Sequence, residues 1–316
     1  MMVIRPIWRD ELALFAHLSD DIAFDKRFEG YLDDLWADGS CRPEWCFLAE
    51  QDGRILGRVG YWALPSFAVP MFVEFLLLPW DGDYLETGVA LLKHTLAHFH
   101  ALGARDMACQ LHIPSHLRIP SDRCAKVLER AGFVLIRSGD RWERTNPTAP
   151  VVSWGRLVFR TLDEVGEDAL VAAIQRVTTG TLDRSLQRDL RLLGPERAAR
   201  EEFHYARAML YKPGWWRLAY IPKGTLAGLI MVAENDGGPI IYYIGVVPEQ
   251  RGRGYVDDLL VEGTLLLQAE GATRIIADTD TENAPMARAF ERAGYRKFGT
   301  RLDYAIQLTR LHEDVD

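Results

Sequence analysis

The sequence predicts two tandem α/β domains that repeat one order of strands and helices. Three observations predict it. The chain has 316 residues, about two domains at roughly 100–200 residues each. It also repeats itself. Val127-Leu-Glu-Arg-Ala-Gly-Phe133 returns as Ala289-Phe-Glu-Arg-Ala-Gly-Tyr295, and His100-Ala-Leu-Gly-Ala104 returns as Gln268-Ala-Glu-Gly-Ala272. Asp52-Gly-Arg-Ile-Leu-Gly57 matches Lys223-Gly-Thr-Leu-Ala-Gly228, and Trp45-Cys-Phe-Leu-Ala matches Trp216-Arg-Leu-Ala-Tyr. The matches keep their order, and their period is about half the chain, which means a duplicated domain. Finally, the turn-rich Thr145-Asn-Pro-Thr-Ala-Pro150 stands between the copies. The expected domains are therefore 1–150 and 151–316. With 48% hydrophobic residues, each is long enough to bury its own core.

The second copy sets the element order. Arg156–Thr161 reads as a strand. Asp163–Thr178 and Leu182–Leu210 carry helical periodicity, the latter broken at Gly194-Pro195. Trp215–Tyr220 and Leu226–Ala233 read as strands joined by the turn at Pro222-Lys-Gly. Ile240–Val247 is an apolar run suited to a central, buried strand. Asp257–Glu270 is helical and Arg274–Asp280 is a strand. Pro285–Ala293 is a helix stopped by Gly294, and Tyr295–Leu308 is a long last strand. The first copy follows a similar order.

The most informative stretch is Val246-Val-Pro-Glu-Gln-Arg-Gly-Arg-Gly-Tyr-Val256. A buried strand enters a loop with glycine at alternate positions and leaves as a helix. Gly252 and Gly254 allow backbone angles that turn successive N–H groups inward, forming an anion nest. The helix N-terminus adds positive potential, and Arg251 and Arg253 add charge. The ligand expected of such a loop is a phosphate or pyrophosphate. Neither the dinucleotide G-x-G-x-x-G spacing nor a following Gly-Lys-Ser/Thr is present.

This loop resembles the pyrophosphate-binding motif of the GNAT acyltransferases, with Arg251, Gly252 and Gly254 at the motif positions. Asn283 opens the next helix, and Ala289–Tyr295 is similar to the family's Leu-Tyr-Glu-Lys-Leu-Gly-Phe signature. The resemblance covers nearly all of 151–316. The tandem arrangement is similar to that of the mycothiol synthases. It implies two GNAT-like domains, each a mixed, mostly antiparallel sheet flanked by helices.

It further implies acetyl-CoA as co-substrate, held by Val246, Val247, Arg251, Gly252, Arg253, Gly254, Tyr255, Val256, Asn283 and Phe290. The pantetheine would lie between Ile240–Val247 and Arg274–Asp280. The implied reaction is direct attack by a primary amine of a small molecule, with the Val246 amide polarising the thioester. Two positions depart from the family. Val256 stands where a small residue is usual. Phe290 stands where many members carry a tyrosine that protonates the leaving thiolate, and a positioned acid is worth roughly 10²–10⁴-fold. Either Tyr242 or Tyr243 can face the pocket, the other packing in the core. Asp278 and Asp280, two apart on a strand, share a face. They can hold a cationic acceptor and relay its proton, or form a solvated strand end that caps the next helix. Trp215-Trp216 can stack a ligand or open a strand with one ring in the core. Arg184, Arg188 and Arg191 read as a salt-bridged face or a pocket lid.

In the first copy the corresponding segment is Leu78-Pro-Trp-Asp-Gly-Asp-Tyr-Leu-Glu86. Asp83 and Leu85 replace the loop glycines, and Asp81, Asp83 and Glu86 place negative charge there. One unit charge about 5 Å from a phosphate costs on the order of 3 kcal/mol at an effective dielectric near 20. The first copy is expected not to bind CoA and to serve as a wall.

The net charge of −8 and the pI near 5.6 argue against nucleic-acid or membrane partners. The expectation is a cytoplasmic monomer or weak homodimer. Cys41, Cys46, Cys109 and Cys124 are expected to be free thiols. His94 and His98 have a zinc-capable spacing but no glutamate between them, so no metal is expected. Two other readings remain open: a protein N-terminal or lysine acetyltransferase, and a non-catalytic acyl-CoA-binding module.

Overall fold

A computed structural model describes residues 2–115, 117, 119–145, 154–235 and 237–308. Of the expected linker, only Thr145 is among them. The chain forms two compact units, Met1–Ile136 with Arg301–Asp316, and Arg137–Thr300. These are not two contiguous halves. The chain changes unit inside two strands, β6 (Val134–Arg144) and β12 (Arg296–Gln307).

In the first unit the order is β1 (Val3–Pro6), α1 (Leu12–Ala16), α2 (Ile22–Asp38), β2 (Cys46–Gln51), β3 (Arg54–Trp62), β4 (Phe72–Val73), α3 (Tyr84–Ala101), β5 (Asp106–Ile113) and α4 (Ser121–Arg130). β1 to β4 pair antiparallel in sequence order, and β4 runs parallel to β5. The last part of β12 completes this unit. The Leu308 amide donates to the Arg105 carbonyl at 2.8 Å, and Tyr304, Ile306 and Leu308 enter the core around Leu91, Leu92 and Phe99.

The second unit holds β7 (Val158–Thr161), α5 (Leu162–Val165), α6 (Glu167–Thr178), α7 (Arg184–Leu193), α8 (Pro195–Arg207), β8 (Trp216–Tyr220), β9 (Leu226–Asn235), β10 (Gly238–Val246), α9 (Tyr255–Ala269), β11 (Ile275–Asp280) and α10 (Ala284–Arg292). Each helical run of the sequence reading contains one break. Gly166 divides the first with φ at +81°, and Gly194, at +76°, ends α7 where Pro195 opens α8. β7 to β10 pair antiparallel, and β10 pairs parallel with β11. β6 supplies the outer partner of β11, from Gly139 opposite Asp280 to Arg144 opposite Ile275. Both units therefore have the predicted mixed, mostly antiparallel sheet flanked by helices.

The repeat is visible in the register itself. In the first unit the parallel pairs are Phe72↔Ala108 and Val73↔Cys109. In the second they are Ile240↔Ile276 and Ile241↔Ala277, every residue displaced by the same interval. Gly57 and Gly228 also correspond. A Cβ on Gly57 would lie 2.9 Å from the Leu77 carbonyl oxygen, and one on Gly228 would lie 2.2 Å from that of Gly245. Both glycines let two backbones approach where any side chain would separate them.

Some expectations resolve simply. All four cysteines are free and buried. His94 and His98 lie on the exposed face of α3, with His98 edge-on to Phe47. Trp215 and Trp216 are both buried, not one of the two. The Trp216 ring stacks on Tyr211 at 4.2 Å and its N–H donates to the Val232 carbonyl. Among the described residues, no helix is long and apolar enough to cross a membrane.

Candidate active site

The site forms where β10 and β11 part. Only two residue pairs join them, after which the strands diverge. The ladder on the other side of β10 shows which way its amides point. The Val247 amide donates to the Ala227 carbonyl, and Val246 stands opposite Gly228. In an antiparallel ladder this makes Val246↔Gly228 a non-hydrogen-bonded pair. The Val246 N–H is thus turned away from β9, toward the opening. Val247 differs, since its own amide is spent on β9.

β10 carries a bulge between Ile241 and Tyr243. An extra residue in one strand breaks the alternation of faces. Ile241 packs toward α9, beside Gly263, whereas Tyr242 and Tyr243 both turn to the helices on the other face. The Tyr242 hydroxyl donates to the Glu202 carboxylate on α8, and Tyr243 meets Thr178 at the end of α6. Tyr243 packs in the core and Tyr242 is only partly buried, the division expected of the pair, although both turn to one face. The bulge, not strict alternation, decides it.

Glu202 was not singled out by the sequence. It sits among Ala199, Phe203 and Ala206, the apolar stripe that packs α8 on the domain. A carboxylate inside such a stripe is a signal that helical periodicity could have supplied. Burial pushes its pKa up to about 7, against the opposing effect of the Tyr242 hydrogen bond, and the charges of Asp189 and Asp183 raise it further. Burial also raises both tyrosines.

β10 leaves the sheet through Pro248–Gln250, a short 3₁₀ turn, into the glycine loop. Gly252 and Gly254 have φ of +76° and +73°, the left-handed region the sequence reading required. Among the described residues, no amide from Gly252 to Val256 donates to a protein acceptor. A helix N-terminus leaves its first amides unpaired, and the two glycines extend that run back into the loop.

The arginines divide differently from expectation. Arg251 is not a free phosphate-binding cation. Its guanidinium donates to the carbonyls of Val246 (3.1 Å), Gly180 (3.1 Å), Val177 (2.8 Å) and Thr179 (2.8 Å). It thereby caps the C-terminus of α6 and ties it to the loop. Arg253 is exposed. Arg156, read only as the start of a strand, braces the loop from outside. It donates to the carbonyls of Arg253 (3.1 Å) and Gly254 (2.9 Å) and pairs with Asp258, its guanidinium lying over the Tyr255 ring. Arg292 holds Asp257 at 2.7 Å. The two acidic residues in the first turn of α9 are thus each matched by a cation.

Val256 is partly buried against the core, so its bulk is directed at least in part away from the loop mouth. Asn283 caps α10, accepting from the Met286 amide. Phe290 is 1% exposed, stacked on Trp142 at 5.7 Å and against Tyr295 at 5.3 Å. It belongs to the core.

Asp278 and Asp280 are held by arginines and not left to a cationic acceptor. Asp280 is buried and accepts from the Arg184 amide (3.0 Å) and side chain (3.3 Å), with Arg137 at 3.9 Å. Arg137 also pairs with Asp183 at 2.9 Å. Asp278 accepts from Arg141 at 3.3 Å. A buried carboxylate needs such partners. Arg137 and Arg141 come from β6, which the sequence reading assigned to the first domain. The same contacts fix Arg184 as an anchor of α7.

Residues 182–295 match the family described as Acetyltransferase (GNAT) family. The chain is 31% identical over 100 residues to a mycothiol acetyltransferase of Arthrobacter sp. (strain FB24), covering 30% of this chain and 31% of that protein. It is 30% identical over 94 residues to that of Clavibacter michiganensis subsp. michiganensis (strain NCPPB 382), covering 30% and 31%. The matches thus span about a third of these relatives. Among solved structures, a GCN5-related N-acetyltransferase from Sphaerobacter thermophilus superposes with a TM-score of 0.61 at 19% identity, covering 97% of this chain and 96% of that one. A tandem GNAT protein from the clavulanic acid biosynthesis pathway gives 0.52 at 18% identity, with 98% and 99% covered. The fold is the tandem GNAT fold.

Proposed function

We propose that this protein moves an acetyl group from acetyl-CoA to a primary amine of a small molecule, with the donor site in the second unit alone. The observation that carries the reading is the run of unpartnered amides from Gly252 to Val256, at the mouth of the opening between β10 and β11. Five donors and a helix N-terminus fit a pyrophosphate. The family match over 182–295 supports the donor, and the likeness to mycothiol acetyltransferases supports a small-molecule acceptor.

Acetyl-CoA supplies the activated acyl group. The Val246 amide would donate to its carbonyl oxygen, where charge develops. Glu202, with a pKa of about 7, takes the proton from the acceptor amine. Tyr242 holds that carboxylate in place. The N–C bond forms as the C–S bond breaks. Phe290 has no proton for the departing sulfur, so water provides it. Asp278 and Asp280 act as positioning residues through their arginines. In the first unit, Asp81 pairs with Arg123 at 2.8 Å where the second unit has its glycine loop. The loop carboxylates Asp81 and Asp83 leave that unit without a donor site.

The test is thiol release from acetyl-CoA across a panel of amino acids, polyamines and amino sugars, read with native protein and Glu202→Gln. Amine-dependent release that falls about 10²-fold in the variant supports the reading. Acetyl-CoA binding with no release on any amine would mean a non-catalytic module.

A further inference from the structure

The glycine loop has a weakness that comes from its own flexibility. The peptide planes on either side of Gly254 can turn over at little cost, because no side chain at that residue obstructs the rotation. In a planar trans peptide, the carbonyl and the amide that follows it point opposite ways. A plane turned over would present an oxygen where the nest presents an N–H, and an anion would meet repulsion in place of attraction.

Arg156 opposes both rotations. Its Nη1 donates to the Arg253 carbonyl at 3.1 Å, which fixes the plane carrying the Gly254 amide. Its Nη2 donates to the Gly254 carbonyl at 2.9 Å, which fixes the plane carrying the Tyr255 amide. The guanidinium is itself held. Asp258, 7% exposed in the first turn of α9, accepts from Nε at 3.0 Å and also from Nη2. The centres of the Trp154 and Tyr255 rings lie 4.8 Å and 5.3 Å from the guanidinium carbon, near enough for cation–π attraction. A planar fork reaches these three acceptors together, whereas an ammonium is a single point. Arg156 precedes β7, outside the residues 182–295 that match the family.

We propose, resting on the donor reading of this loop, that Arg156 is a positioning residue for the acyl donor. It stands on the carbonyl side of the loop, off the ligand, and keeps the Gly254 and Tyr255 amides aimed at the pyrophosphate. Asp258 balances its charge, so what the ligand gains from Arg156 is aim and not potential.

The experiment is calorimetric titration of acetyl-CoA into the full chain as native protein, Arg156→Ala, Arg156→Lys and Arg156→Ala/Asp258→Asn. Arg156→Ala and the double variant are each expected to bind about tenfold more weakly, and Arg156→Lys at least fivefold. Millimolar ethylguanidinium, which returns the fork without the chain, is expected to restore most of the affinity of Arg156→Ala and to leave the native protein unchanged. Arg156→Lys decides the matter should Arg156→Ala fail to fold. Native affinity in Arg156→Lys would overturn the proposal, as would recovery in the double variant, since either would make charge the cause. A loss in Arg156→Ala that ethylguanidinium does not repair would reduce the residue to a structural role and overturn it too. Failure of the native chain to bind acetyl-CoA is a separate result, which would overturn the donor reading and this role with it.

Discussion

Arg251 reaches back five residues to the carbonyl oxygen of Val246, at 3.1 Å, while its other donors hold the last carbonyls of α6. One side chain thus joins the strand, the first helix of the site and the glycine loop. With four of its five N–H groups engaged by backbone carbonyls, we propose that it serves ligand binding by holding this geometry.

Arg251→Ala and Arg251→Lys should therefore behave alike. Lysine has three donors on a single nitrogen and cannot reproduce a planar fork spread over four carbonyls. Each variant should weaken acetyl-CoA about tenfold and lower the melting temperature. Calorimetry and thermal unfolding read this. A lysine variant with native affinity would restore the free-cation reading.

Glu202 predicts a pH dependence. Its folded pKa, about 7, lies above the ordinary carboxylate value of 4.5. Catalysis by its ionised form should rise with pH through a midpoint near 7. Stability runs the other way. The raised pKa means the folded state binds the proton more tightly, so this contribution is complete below about pH 4.5 and is lost as pH rises through 7. Glu202→Gln should remove both the rising limb of kcat/KM and this loss of stability. A rising limb that survives in the variant assigns the base elsewhere.

Gly228→Ala should destabilise the second unit by about 2–4 kcal/mol. The new Cβ would stand 2.2 Å from the Gly245 carbonyl oxygen, and backbone cannot swing aside as a side chain can. Gly245→Ala should cost less, because its Cβ would meet Val177 Cβ at 2.8 Å, a milder overlap that a small shift of α6 relieves. Urea unfolding of the two variants orders them.

A fragment of residues 151–316 should fold poorly. It lacks Gly139–Arg144, the strand segment that pairs β11, and the Arg137 and Arg141 partners of Asp280 and Asp278. Circular dichroism and gel filtration of the fragment, alone and mixed with residues 1–150, test this. Mixing should recover structure.

Much of this was legible in the sequence. The repeat, the element order and the left-handed glycines at 252 and 254 followed from local patterns, because turns and periodicity are local. Three things were not. The passage of β6 and β12 between units depends on which strands find each other, and the spacing of apolar residues is silent on that. The Tyr242–Glu202 pair depends on a bulge, which shifts the facing of every residue beyond it. The role of Arg251 looked electrostatic in the motif and proved to be a cap, since only the folded chain brings the end of α6 beneath it. Asp280 shows the same limit. Its neighbours in sequence suggested a solvated end, yet Arg137 and Arg184 close over it.

The most direct test is calorimetric titration of acetyl-CoA into the native chain and into Gly252→Asp/Gly254→Asp, which gives the second loop the residues of the first. Asp83 precedes α3 as Gly254 precedes α9, which corrects the expected match of Leu85, a residue inside α3, to a loop glycine. The account predicts one site per chain in the native protein and none in the variant. Failure of the native chain to bind, or retention of binding in the variant, would contradict it.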